Sequence, residues 1–323
     1  MGLVSLADVT ISSGPHADVR SASATDTGST GRGGGGGSPR PSIDQSAAKR
    51  RRSLRRVVLY VFAIGVMAVI VVPLAFSVLG GFRSSRQLVE NPVGLPDPWI
   101  FENYTSLLTS GTFWRQVWNS TFIALLTVGF TIPTASLAAF VIARYPFRGR
   151  ELVYGLFTLG LLFPVAVAIL PLFITLRQID LLSNPLGVAL PQAAFGLPVA
   201  IIIMRPFLRA IPASLQDAAR IDGCGPLRFY WYVILPLSRP VLSTVAVLGL
   251  VGSWNGFLLP LLVLIDPAQH TLPIGVNNTS SQYATDYSIV LAYTTLSMIP
   301  ALVFYALAER QIVSGLTDGA VKE

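Results

Sequence analysis

Six apolar runs, 57–79, 121–143, 152–176, 187–204, 241–265 and 288–308, contain no Asp, Glu, Lys or Arg. At about 1.5 Å of rise per helical residue most can cross a hydrocarbon layer about 30 Å thick, and the 187–204 run borrows length from its flanks. A backbone in lipid must satisfy its own polar groups, so runs of this kind commit the chain to helices. Only 12% of residues are charged, against about 25% in soluble domains. The expected fold class is all-α and polytopic, with six transmembrane helices in one membrane domain. Pro73, Pro133, Pro164, Pro171, Pro191, Pro198, Pro260 and Pro300 fall inside these runs. A bundle tolerates them when neighbouring helices or cavity water take up the freed backbone groups, so kinked helices lining a pathway are expected.

The net charge is +7, and its placement decides its meaning. Lys49, Arg50, Arg51, Arg52, Arg55 and Arg56 precede the first run, and Arg144, Arg148 and Arg150 follow the second. Arg205, Arg209, Arg220, Arg228 and Arg239 lie between the fourth and fifth, and Arg310 and Lys322 follow the last. The alternate segments hold Arg83, Arg86, Arg115 and Arg177. Basic residues collected at the ends of apolar runs set membrane orientation rather than bind nucleic acid; the bias places both termini and the 205–240 segment in the cytosol.

Residues 1–48 are rich in Gly, Ser, Ala, Thr and Asp, with an unbroken glycine run at 33–37. They cannot bury enough apolar surface to offset their ordering entropy and are expected to form a disordered cytosolic tail, leaving 49–323 as the membrane domain. The first run exceeds a signal-peptide core and five more follow, so it reads as an uncleaved anchor. A single cysteine, Cys224, excludes an intrachain disulfide and a multi-cysteine metal site, and His16 and His270 stand in separate polar segments. No metal site is expected.

Residues 212–240 are the polar, arginine-bearing interruption between the fourth and fifth runs. Pro212 and Ser214 are helix-start residues, and Ser214 with Asp217 three positions on resembles a weak capping box. Ala218 and Ala219 favour helix with little bulk, which lets a partner approach closely. Gly223 and Gly225 can take the left-handed backbone that ends a helix, and Pro226 suits the start of another. The segment reads as two short helices joined at a sharp turn, although an ordinary cytosolic loop has similar turn chemistry. On the other side, residues 82–113 are turn-rich with interfacial aromatics Trp99, Phe101 and Tyr104. Residues 266–286 carry Asn277, Asn278, Thr279, Ser280, Ser281, Gln282 and Tyr283, which can bond sugar hydroxyls or a partner protein, or simply be solvated.

The interruption closely resembles the EAA coupling loop of bacterial ATP-binding-cassette (ABC) importer permeases, whose pattern is Glu-Ala-Ala, three residues, Gly, and a later Leu-Pro. Here the positions read Asp217, Ala218, Ala219, Gly223, Leu235 and Pro236, with Asp217 for the usual Glu and Cys224 where a small Ala is common. Asn103-Tyr104, Asn119-Ser120, Arg144 to Gly149, Trp254-Asn255 to Pro260 and the 315–322 ending resemble the maltose-type carbohydrate permease family, covering nearly everything after residue 57. The resemblance implies a type I ABC importer permease fold and the smaller, six-span subunit of a bacterial inner-membrane heterodimer. It implies a second permease subunit, two cytosolic ATP-binding subunits, an extracytoplasmic solute-binding protein and a sugar substrate. It also implies an ATPase-coupling role for Asp217, Ala218, Ala219, Asp222, Gly223, Cys224, Leu235 and Pro236.

Asp217 can meet an Arg of an ATPase subunit as a charge-assisted pair, or cap its own helix. Asn255, beside Trp254, is a costly polar group within lipid and is expected to face the bundle interior, as a sugar contact or an interhelical hydrogen bond. Tyr293 and Thr294 carry the same two readings. No phosphate-loop motif accompanies the 33–37 glycine run and no catalytic dyad or triad is visible. The chain therefore reads as a transport subunit without its own ATPase site or cofactor, ATP being used by its partners. An ABC permease for polyamine, phosphate or glycerol phosphate stays open, since the coupling loop fits these too. An ion-coupled secondary transporter is disfavoured by the lack of intramembrane acids. A membrane enzyme or scaffold is disfavoured by the missing catalytic groups and by the coupling loop.

Overall fold

The computed structural model describes residues 45–281 and 286–320, with side chains placed for 54–279 and 286–306. The expected tail up to residue 44, with His16 and the glycine run, lies outside the described residues, as do Gln282, Tyr283 and Lys322. The chain divides into two units, Met1–Val61 and Phe62–Glu323, and the second holds the helical bundle.

All regular structure among the described residues is helical. Among the described residues four helices are long and apolar enough to cross a membrane: α1 (Gln45–Gly80) over Leu54–Gly80, α4 (Gly111–Arg144), α7 (Pro185–Ala210) and α14 (Tyr287–Ala320) over Tyr287–Ala306. Two bent pairs raise the number to six if each is one span. One is α5 (Arg150–Gly160) with α6 (Val165–Gln178), bent by 94°; the other joins Pro226–Leu237 to α11 (Arg239–Trp254) at 77°. Short helices α2 (Ser85–Glu90), α3 (Glu102–Leu108), α8 (Ala213–Ile221), α9 (Pro226–Phe229), α10 (Leu235–Leu237), α12 (Leu258–Val263) and α13 (Leu272–Ser281) fill the connections.

The third apolar run is thus not one straight helix. Pro164 has no N–H and disfavours helical geometry at Phe163, so α5 closes in three-residue turns: Leu161 N–H donates to Thr158 O at 3.1 Å and Leu162 N–H to Leu159 O at 3.0 Å. The fifth run also breaks, after Trp254. By contrast Pro73, Pro133, Pro171, Pro191, Pro198 and Pro300 lie within helices that continue past them.

The core is α4 against α7, with α11 packed on both and on α14. Small residues are buried along both helices, Ala124, Ala135 and Ala139 on α4 and Ala189, Ala193 and Ala200 on α7, and Ala135, Ala139 and Ala200 share one buried cluster. Small side chains let helix backbones approach, which is how packing gains energy where lipid removes the hydrophobic drive. Val58 and Phe62 on α1, Leu156 on α5, Leu162 in the α5–α6 break and Leu170 on α6 are exposed. Apolar surface of that extent belongs against lipid or another membrane helix. α1 meets the bundle near its end: the Ser77 hydroxyl donates to Leu291 O at 3.4 Å and lies 3.2 Å from the Thr295 hydroxyl, both on α14.

The segments expected outside the membrane are tied down. Ser84 and Gln87 form a capping box for α2. Buried Arg83 donates to the carbonyls of Gln87 (2.6 Å), Asn91 and Pro92 (3.2 Å). Asp286, at the start of α14, accepts from the hydroxyls of Ser85 and Ser288. The Asn119-Ser120 pair has a structural reason: Asn119 Nδ2 donates to Ala268 O and His270 O, each at 3.0 Å, while Ser120 Oγ accepts from Leu272 N–H at 2.8 Å. These bonds pin the 266–272 stretch to the top of α4.

Candidate functional site

The α8–α9 turn closes as a Schellman motif. Cys224 N–H donates to Ala219 O at 2.8 Å and Gly223 N–H to Arg220 O at 3.0 Å, with Gly223 left-handed at φ +73°. Gly225 has φ −69° and needs no glycine freedom. The expected Ser214–Asp217 capping box does not form. Pro212 occupies the cap, which puts Ser214 inside the helix.

The hairpin has two unlike faces. Ala219, Phe229, Tyr230 and Ile234 are buried against Phe140, Ala143, Met204 and Leu208, with Cys224 and Leu235 half-buried beside them. Leu215, Ile221, Leu227, Trp231 and Tyr232 are exposed, Ile221 to 87%. Asp217, Ala218, Asp222 and Pro236 are exposed too. Asp217 does not cap its helix; its Oδ1 lies 3.6 Å from Arg220 Nη1. Asp222 is the residue at which α8 ends.

Two arginines that motif reading left without roles hold this end of the bundle. Arg144, the last residue of α4, donates through Nη1 to Ile211 O at 2.5 Å, through Nη2 to Pro212 O at 3.3 Å and through Nε to Gln216 Oε1 at 3.1 Å. Arg205 of α7 is buried, pairs with Glu151 Oε1 at 2.5 Å and stacks 3.8 Å over the Tyr154 ring. A 2.6 Å bond joins the buried hydroxyls of Ser136 and Tyr230, the latter in a π-helical turn over Tyr230–Ile234.

Deeper in the bundle a cleft of about 470 Å³ opens between α4, α6, α7 and α11. Its walls are apolar except at Thr127, Thr131, Gln192 and Ser253. Gln192 Oε1 accepts from Thr127 Oγ1 at 3.1 Å and from Ser253 Oγ at 2.6 Å, tying three helices. Gly256 leaves the room this needs, because a Cβ there would stand 2.7 Å from Gln192 Nε2. Gln192 is the one polar side chain in the 187–204 run, a signal the sequence carried and motif reading passed over.

The residues read from sequence as a pathway lie elsewhere. Trp254 is buried, donates through Nε1 to Ser297 O at 3.2 Å and meets Phe304 edge-on at 5.7 Å. Tyr293 is buried, donates to Gln116 Oε1 and meets Phe113 edge-on at 5.5 Å. Thr294 Oγ1 returns to Val290 O at 2.8 Å on its own helix. Asn255 does not face the interior of this chain: α11 stops at Trp254, and Asn255 is exposed in the break.

The sequence profile described as binding-protein-dependent transport system inner membrane component matches residues 131–312, a range that holds the hairpin, Arg144, Gln192 and Ser253. The chain is 32% identical to the diacetylchitobiose uptake system permease protein NgcG of Streptomyces coelicolor, over 79% of its own length and 85% of that protein's. It is 33% identical to the arabinooligosaccharides transport system permease protein AraQ of Halalkalibacterium halodurans, over 78% and 91%. Among solved structures, a chain of a bacterial ABC transporter involved in the import of the acidic polysaccharide alginate matches with a TM-score of 0.69 at 22% identity, over 84% of this chain and 99% of that one. That likeness establishes the fold.

Proposed function

The chain belongs to the family of binding-protein-dependent transport system inner membrane components, and from that premise we propose that it is the permease subunit of an ABC importer for a sugar or oligosaccharide. The observation that carries the mechanism is the two-faced hairpin. Its inner face is bonded and packed into the bundle, whereas Ile221, Leu227, Trp231 and Tyr232, like Asp217, are left exposed. An apolar surface ringed by polar groups is what a soluble partner needs in order to dock, and the reading assigns it to a cytosolic ATPase subunit. Asp217 is exposed, with its Oδ1 in a long pair to Arg220 and within the field of Arg144, and can meet a basic residue there.

The sugar assignment draws support from the glycan names of the relatives and from the chemistry of the cleft. An apolar wall with a few convergent amides and hydroxyls orients a hydroxyl-rich solute. Gln192, Thr127, Thr131 and Ser253 supply those groups, and Asn255 follows Ser253 by two positions in the break after α11. A second permease subunit completes the half-open cleft, a solute-binding protein delivers at the outer side, and both termini lie in the cytosol, as the basic residues favour.

The test is reconstitution with the companion permease, ATPases and binding protein. ATP-dependent sugar uptake is expected, falling about tenfold in Gln192→Leu if the amide meets the sugar through one hydrogen bond. Asn255→Leu is expected to lower uptake with the complex intact if the amide meets the sugar, and to lower complex recovery as well if it ties helices together. Solute accumulation by the chain alone on an ion gradient sinks the assignment.

A further inference from the structure

The coupling hairpin is gripped by residues of α4 that stand four apart, Ser136, Phe140 and Arg144, a spacing that puts them one above another on one side of a helix. At the bottom, the Arg144 guanidinium closes the corner where α7 ends and α8 begins, through Ile211 O and Pro212 O, and reaches the first turns of α8 through Gln216. One turn up, the Phe140 ring lies 6.2 Å from Phe229 and 5.2 Å from Tyr230, in the second half of the hairpin. Another turn up, Ser136 bonds the Tyr230 hydroxyl. Both halves of the hairpin are therefore fastened to one helix that is 67 to 94 residues away in sequence. Met204 and Leu208 of α7 and Val241 of α11 pack on the hairpin as well, but the covalent connections to those helices turn corners. On the α7 side the chain passes through a non-helical corner at Ile211 and Pro212, and on the α11 side through a 77° bend at Ser238. Corners between helices absorb rotation as hinges, whereas a planar guanidinium with its donors in a fixed fork sets orientation as well as distance.

The same helix carries Thr127 and Thr131 into the cleft, and Thr127 bonds Gln192 there. We infer that α4, not the two helices joined to the hairpin through the backbone, delivers displacement of the hairpin to the cleft, with Arg144 as the positioning residue and the Ser136–Tyr230 bond as a second grip. The inference rests on the proposed function for what drives the hairpin; the grip itself does not.

The test uses the complete reconstituted transporter with Arg144→Gln, Arg144→Lys and Tyr230→Phe, measuring sugar imported, ATP hydrolysed and complex recovered. Loss of the charged fork in Arg144→Gln is expected to lower sugar imported per ATP by about tenfold, with hydrolysis and recovery within about twofold of wild type. Arg144→Lys restores part of the ratio, and Tyr230→Phe lowers it less. An unchanged ratio, or import and hydrolysis falling in the same proportion, overturns the inference. If Arg144→Gln does not assemble, Tyr230→Phe decides by the same ratio, because removing one hydroxyl leaves the packing in place. A second arm needs no transport. Amide exchange over residues 213–216 in the detergent-solubilised protein is expected to quicken about tenfold in Arg144→Gln, and unchanged exchange overturns the grip. A wild-type complex that imports no sugar overturns the proposed function instead, while the exchange arm still decides the grip.

Discussion

At the residue scale the hairpin turn separates two glycines that look alike in sequence. Neither Gly223 nor Gly225 has any atom within 4 Å of where a Cβ would stand, so substitution reads the backbone alone. Gly223→Ala is expected to cost about 1 kcal/mol, because its left-handed φ penalises a side chain, whereas Gly225→Ala is expected to be near neutral. Amide exchange at Cys224 in the two variants checks the contrast. Sequence located the turn through its glycines and proline, since that chemistry is local. It could not say which glycine is left-handed, nor that Pro212 displaces Ser214 from the cap. Asp286 gives a second prediction. Burial works to raise its carboxyl, but hydrogen bonds from Ser288 and Ser85 outweigh it and hold the group below the ordinary Asp value. A depressed folded-state value means that the stabilisation is present above the unfolded Asp value and is lost as pH falls through the folded one. The α2–α14 contact should therefore loosen in acid below the ordinary Asp range, and Asp286→Asn should flatten that dependence in a pH series of thermal unfolding.

At the scale of elements, the Arg205–Glu151 pair joins α7 to the start of α5 with unequal partners. Arg205 has 7% of its side chain exposed and Glu151 62%. Arg205 Nε already lacks a partner. Removing the exposed carboxylate strands a buried charge, while removing the arginine leaves a glutamate in water. Glu151→Gln is thus expected to lower the thermal midpoint of the solubilised protein more than Arg205→Met does; the reverse order would show that the arginine's packing matters more than its charge. The helices themselves were largely legible, because apolar length is written in each run. The bend at Pro164 was not distinguishable from the prolines that α4 and α7 absorb, since only neighbouring helices decide which proline breaks a span. Likewise the sequence left Tyr293 and the Trp254-Asn255 pair between sugar contact and interhelical hydrogen bond, because the partners of Trp254 and Tyr293, Ser297 and Gln116, lie 43 and 177 positions away. Gln192 was legible as the lone amide of its run, but its bonds to two other helices were not.

For the whole molecule, the apolar faces of α1, α5 and α6 and the bare side of the hairpin call for lipid and partners. Purified alone, the chain is expected to hydrolyse no ATP and to accumulate no solute; measured hydrolysis by the isolated chain would contradict its place as one subunit among several. Deleting residues 2–45 is expected to leave insertion and uptake near normal, since the basic cluster from Lys49 remains to hold orientation.

Ser77 is the described side chain of α1 that hydrogen-bonds to another long helix, and its partners on α14 follow it by 214 and 218 residues. A ribosome adding about 5–20 residues per second takes on the order of ten to forty seconds to make that stretch. Throughout that interval the first span sits in the bilayer before its mate has been synthesised. Until then α1 must borrow a companion, from lipid or from the insertion machinery, and the contact is complete when α14 displaces that companion and takes hold of α1.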